Sequence, residues 1–141
     1  MALRFDHVNI SVVSIDRTTD FLRVTFPELV VRGGAEGQWE EMKTAWIHLG
    51  TDESYVSINE TSAMETLGRD GSRATGINHV GFIVGDVEAL RDTYEAAGNT
   101  VSYMDELPAR KRLYVTDHDG IMWEFIEYPS DDPAARNDYS F

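Results

Sequence analysis

Two histidines and a glutamate give this 141-residue chain its clearest chemical potential. His7 and His79 lie half a chain apart. Each is the third residue of the same kind of segment, Phe5-Asp6-His7-Val8-Asn9-Ile10-Ser11-Val12 and Ile77-Asn78-His79-Val80-Gly81-Phe82-Ile83-Val84. Glu124 sits in a third alternating run near the end of the chain. Two neutral imidazoles and one carboxylate, with positions left open, form a set that holds a catalytic divalent ion such as Fe²⁺, Mn²⁺, Zn²⁺ or Ni²⁺. Such an ion keeps a net positive charge. It can accept two neighbouring substrate oxygens, stabilise an enolate or alkoxide, or polarise a carbonyl. None of the tight spacing motifs of metalloproteins is present, so the assignment rests on the elements that carry these residues.

A chain that repeats at half its length reads as two copies of one unit around a shared site. In the first copy, Val8, Ile10 and Val12 alternate with His7, Asn9 and Ser11, which predicts a strand with one apolar face. Ser14 and Asp16 can cap a helix carrying Phe21, Leu22 and Val24, closed by Pro27. Gly33, Gly34 and Gly37 predict a turn, Trp39 to Leu49 a strand, and Tyr55 to Asn59 another. Residues 61–76 read as a linker, with one helical turn around Met64 to Leu67. The second copy has a strand at 77–84, then a helix opened by Asp86 and stopped by Gly98, with Val87, Leu90 and Tyr94 inward. Strands follow at about 100–104, 111–117 and 121–128.

The expectation is an α+β fold, a single domain over 1–141. It has module one at 4–60, the linker, module two at 77–128 and an acidic tail at 129–141. Each module is βαβββ, and together they form an open curved sheet around a central cleft with the helices outside. Polar sheet faces turned on one another are costly unless they line a ligand cleft. Strand parity then brings four matched positions to that cleft: His7, His79, Ser57 and Glu124. Trp46, Tyr55 and Met122 supply its apolar walls. His48 faces the same way as Trp46. Arg112 points inward to hold an anionic substrate group, while Lys111 stays in solvent. His118 is expected on an exposed turn, and Glu40 or Glu41 is a candidate base.

Composition narrows the classes. The chain has no cysteine, which removes disulfides, thiolate metal sites and thiol catalysis. Its formal charge of −13 argues against nucleic acid and suits solubility or cationic ligands. No apolar run reaches the ~20 residues of a membrane span, and the start Met1-Ala2-Leu3-Arg4 is unlike a signal peptide, so a cytoplasmic protein is expected.

With these residues in view, the duplicated His-Val strand, the Asp117-His118-Asp119-Gly120 turn and Glu124 resemble the vicinal oxygen chelate superfamily. That group includes glyoxalases, extradiol dioxygenases, fosfomycin-resistance transferases and bleomycin-resistance proteins. The resemblance covers residues 5–128 and is strongest over Leu113 to Glu127, where His118 replaces the family's usual proline. It implies paired βαβββ modules and a divalent metal held in the cleft, with His7, His79 and Glu124 on ligand positions. Ser57 falls where glyoxalases place a fourth, acidic ligand. The three-ligand pattern is therefore more similar to the dioxygenases and fosfomycin transferases. Tyr114 matches a tyrosine that both use near the substrate oxygen, and His48 is a substitute for the acid–base histidine of the dioxygenases. No residues match the extra cation-binding and phosphonate-binding groups of the fosfomycin enzymes.

The leading expectation is a metal-dependent enzyme of dioxygenase, lyase or isomerase type. It would act on a small oxygenated organic molecule through a metal-stabilised oxyanion, as a homodimer that binds neither nucleic acid nor membrane. The alternative is a metal-free protein that sequesters a small molecule, as bleomycin-resistance members do; Ser57 and the acidic surface favour it. A third reading, a module of a larger complex, rests on the aromatic tail Tyr139-Ser140-Phe141.

Overall fold

The computed structural model describes residues 5–39, 42–61 and 76–139. Glu40, Glu41, the turn expected at 64–67, Ser140 and Phe141 lie outside them. The chain divides into two compact units, residues 1–67 and 68–141.

The first unit holds β1 (His7–Val12), α1 (Ile15–Thr25), β2 (Val30–Trp39), β3 (Met42–Gly50) and β4 (Tyr55–Glu60). Its sheet runs in the order β1-β4-β3-β2, with β1 parallel to β4 and the remaining pairs antiparallel. The second unit repeats the plan with β5 (His79–Ile83), α2 (Val87–Ala96), β6 (Thr100–Leu107), β7 (Arg110–Thr116) and β8 (Met122–Glu127). Its order is β5-β8-β7-β6, with the same pattern of directions. Each unit is therefore βαβββ with an open four-stranded sheet. A short α3 (Pro133–Arg136), capped by Asp132, follows in the acidic tail.

Alternation builds each core as expected. Ile10 and Val12 of β1, Leu49 of β3 and Val56 and Ile58 of β4 are buried together with Phe21 and Leu22 of α1. In the second unit Trp123 and Phe125 are fully buried, and Tyr94 of α2 stacks on Phe125 at 5.5 Å. That contact defines the helix side of the sheet. Side chains of opposite parity, including His79, Tyr114 and Glu124, project from the other face.

One element departs from expectation. Gly33, Gly34 and Gly37 lie within β2, where a turn was expected. The glycines are there because two strands approach closely. A Cβ at Gly34 would stand 2.5 Å from the Trp46 carbonyl oxygen, and the register shifts between Val31 and Gly33. The strand expected from Trp39 to Leu49 is accordingly split, with Trp39 ending β2 and Met42 opening β3.

Candidate functional site

Register aligns the two units residue by residue. His7 pairs with Tyr55 and Asn9 with Ser57; His79 pairs with Met122 and Gly81 with Glu124. Ser57 and Glu124 therefore occupy the same position, as parity predicts, and so do Asn9 and Gly81. The polar face of each unit can be built from this frame.

In the second unit, His79 Nε2 lies 3.1 Å from Glu124 Oε2. The Tyr114 hydroxyl, on the neighbouring strand, donates to Glu124 Oε1 at 2.5 Å. Glu124 is only 8% exposed, yet its carboxylate has room because it lies over a glycine; a Cβ on Gly81 would stand 3.3 Å from Oε2. The turn before β8 holds this arrangement. Asp117 Oδ1 accepts from the Asp119 and Ile121 amides, and its Oδ2 accepts from the buried Trp123 indole, all at 2.9 Å. Gly120 takes the left-handed conformation, φ 76°, that the turn requires.

The histidines share one orienting device. His79 Nδ1 is 2.8 Å from the side-chain oxygen of Asn78, and His7 Nδ1 is 2.7 Å from that of Asp6. The hydrogen bond with His7 is the main reason the Asp6 carboxyl is held below its ordinary range. Amide and carboxylate oxygens only accept, so Nδ1 carries the proton in each ring and Nε2 of the neutral imidazole presents a lone pair. At His79 that lone pair faces a carboxylate oxygen. Either a proton held between the two atoms, on the ring or on the carboxyl, or a metal ion would keep them at this distance.

The second possibility fits in size. Two donors at about 2.1 Å from one ion and at right angles to each other are roughly 3 Å apart. His79 and Glu124 thus fit adjacent ligand positions without rearrangement, and Tyr114 holds the other carboxylate oxygen as an outer-shell partner. Among the described residues no group of three or more His, Asp or Glu side chains is gathered to hold an ion. The structure brings together the pair in the second unit.

Tyr114 is strongly perturbed. Burial first, then the hydrogen bond to Glu124, pushes its phenol up to about 12. It is a neutral donor at physiological pH. Arg112 projects from the same face, 5.9 Å from the Tyr114 ring, but its guanidinium is engaged. Nε and Nη2 donate to Asp105 at 2.9 and 2.5 Å, a bidentate pair that raises the guanidinium and lowers the carboxyl. Lys111, expected in solvent, donates to Glu88 of α2 at 2.9 Å. His118 is not exposed as expected: its side chain is 12% exposed and lies 3.2 Å from Asp119. Met122, level with His79 in the register, is half-buried.

The first unit carries no carboxylate at the equivalent place. Ser57 is buried, its oxygen accepts from Asn9 Nδ2 at 2.8 Å, and Asn9 Oδ1 accepts from Asn59 Nδ2 at 2.8 Å. Beside this neutral chain stands a row of rings. His7 stacks on Tyr55 at 4.7 Å, His48 closes on Tyr55 at 4.3 Å, and Trp46 lies 4.8 Å from His48. The Arg32 guanidinium lies 4.6 Å from the centre of the Tyr55 ring.

Sequence reasoning missed Gly81, Asn9, Asn59, Asp105 and the two orienting residues Asp6 and Asn78. The last two left a legible signal, an oxygen-bearing side chain directly before the histidine in both copies. The others become meaningful only once the register is known.

Residues 4–125 match the sequence profile of the Glyoxalase/Bleomycin resistance protein/Dioxygenase superfamily. No curated protein sequence matches the chain significantly. Among solved structures, a glyoxalase family protein from Bacillus cereus superposes with a TM-score of 0.73 at 18% identity, covering 92% of this chain and 97% of that one. The trypanothione-dependent glyoxalase I of Leishmania major gives 0.66 at 19% identity, covering 89% and 87%. A genomically encoded fosfomycin resistance protein from Listeria monocytogenes gives 0.60 at 18%, covering 96% and 99%. At these identities the structures attest the fold.

Proposed function

This chain belongs to the Glyoxalase/Bleomycin resistance protein/Dioxygenase superfamily, and from that premise we propose a divalent-metal-dependent enzyme acting on a small oxygenated organic substrate. One observation carries the reading: His79 Nε2 set 3.1 Å from Glu124 Oε2, a spacing that fits two adjacent ligand positions on one ion. His7, with the same Nδ1 anchor, is the third ligand, supplied by this chain or by a second copy. The ion, Fe²⁺, Mn²⁺, Zn²⁺ or Ni²⁺, would supply a positive charge for neighbouring substrate oxygens.

The protein residues have distinct tasks. Asn78 and Asp6 fix the ring tautomers, and Tyr114 turns Glu124 so that Oε2 meets His79. Trp46, Tyr55 and Met122 give the substrate apolar walls. Ser57 and Arg112 provide polar contacts, and His48 is the candidate acid–base group. The same reading takes the protein to be cytoplasmic, and a homodimer, since β1 and β5, which carry the histidines, are each the terminal strand of their sheet and such edges need cover.

Calorimetric titration with Mn²⁺, Fe²⁺, Ni²⁺ and Zn²⁺ tests the site. The wild type should bind at least one of these ions, and His79→Ala, Glu124→Gln and His7→Ala should each lose that binding. Parent-like affinity in His79→Ala or Glu124→Gln would refute the proposal.

The neutral Asn9–Ser57–Asn59 chain favours a second reading, a metal-free protein that sequesters a small molecule. Elemental analysis of protein purified without chelators separates the two, since stoichiometric metal excludes sequestration of this kind.

A further inference from the structure

The chain Asn59–Asn9–Ser57 has a direction. Asn59 Nδ2 donates to Asn9 Oδ1, and Asn9 Nδ2 donates to Ser57 Oγ. Ser57 is thus an acceptor from within the protein, and its own proton has no acceptor among the described residues. A serine only 5% exposed that is left with a proton to give is a costly arrangement unless something receives it.

What surrounds that proton selects the recipient. His48 is the cross-strand partner of Ser57, and Tyr55 lies two residues away on the same face. The rings of His7, Tyr55, His48 and Trp46 form a continuous row across β1, β4 and β3. His7 and Tyr55 are nearly parallel, at 14°, so their faces are turned to one another and their edges turn away from the sheet. Ring edges are electropositive, and they prefer the face of another conjugated ring in a T-shaped contact. Trp46, at the end of the row, is 38% exposed and open to such a contact.

We infer that this face of the first unit is a subsite for a flat, conjugated carbonyl compound, whose oxygen accepts the Ser57 proton while its ring lies over the row. The inference rests on the reading that this face meets the substrate, but it needs no metal. It deepens that reading by assigning the substrate a class. The recognition is directional: the site takes an oxygen that accepts and does not donate.

The test uses acetophenone and its saturated counterpart, cyclohexyl methyl ketone, titrated by NMR against the full-length protein in excess EDTA. Both probes are uncharged, so a charge introduced by substitution has no ion to attract or repel. The wild type should bind acetophenone at least about threefold more tightly than the saturated ketone. Ser57→Ala should weaken both ketones roughly tenfold. Asn9→Asp is nearly isosteric and keeps the bond from Asn59. Its carboxylate only accepts, so it captures the Ser57 proton and should weaken both ketones by a similar factor. Trp46→Leu should abolish the preference for the flat probe.

No binding of either ketone, equal binding of the two by the wild type, or undiminished binding in Asn9→Asp with a native circular dichroism spectrum would each overturn the inference. Ketone binding in EDTA by a protein that takes up none of Mn²⁺, Fe²⁺, Ni²⁺ and Zn²⁺ would sustain it while defeating the metal reading.

Discussion

At Glu124 two neighbours divide one carboxylate, His79 on Oε2 and Tyr114 on Oε1. If Tyr114 orients rather than packs, Tyr114→Phe should lower Mn²⁺ affinity about ten- to a hundredfold, with the thermal transition little changed. Unaltered metal affinity in that variant would remove the orienting role. Asp117 makes a comparable claim on stability. Asp117→Ala removes the acceptor that serves the buried Trp123 indole and the Ile121 amide, a loss of about 3 kcal/mol in urea unfolding. Asp105 provides the pH signature. Its hydrogen bonds with Arg112 depress its folded pKa below 3.8, so the stability it contributes is complete above that value and is lost as pH falls through the folded pKa. Arg112→Met should therefore be less stable than the wild type at neutral pH. The gap should begin to narrow as pH falls below about 4, where the unfolded chain takes up the proton, and close only below the depressed folded pKa, where both chains carry a protonated Asp105. An equal gap at pH 3 and pH 7 would rule out this pair as the source.

At the scale of elements, both units tie helix to sheet by the same contact. The last residue of the final strand accepts the first helical amide: Glu60 Oε2 from Ile15 at 2.9 Å, and Glu127 Oε2 from Val87 at 3.0 Å. Ser14 and Asp86 cap the same helices through their side chains. Glu60→Ala and Glu127→Ala should each cost about 1 kcal/mol, measured by chemical denaturation, the usual effect of removing a charged acceptor from a helix start. The caps and helix faces were legible in the sequence because they depend on residues three or four apart. Strand β2 was not. Its glycines resemble a turn signal locally, and the Trp46 carbonyl that makes glycine necessary at 34 belongs to another strand.

For the molecule as a whole, duplication has been followed by a paired divergence. Where the second unit has Gly81 under Glu124, the first has Asn9 beside Ser57. Either residue of a pair makes sense only with the other, since the Asn9 amide fills the position that Gly81 leaves open for a carboxylate. Ser57→Glu alone should destabilise the protein. Adding Asn9→Gly should recover part of the loss, so that the double variant is more stable than the two single effects added together. Strict additivity in denaturation experiments would show that the two positions are not coupled. The formal charge of −13 affects the same experiments, because added acid in an acidic chain raises self-repulsion at low salt.

The sequence by itself determined the doubled βαβββ order, the capped helices, the apolar side of each sheet and the presence of His79 and Glu124 on one face. All of these follow from the two-residue period of a strand and the turn of a helix, which act over neighbouring residues. Only the tertiary structure decided that Glu124 meets His79 across two strands, that Asp105 engages Arg112, and that Asn9 donates to Ser57 from the neighbouring strand. Those outcomes depend on register and side-chain rotamer, which are set by strands distant in sequence and leave no periodic trace in it.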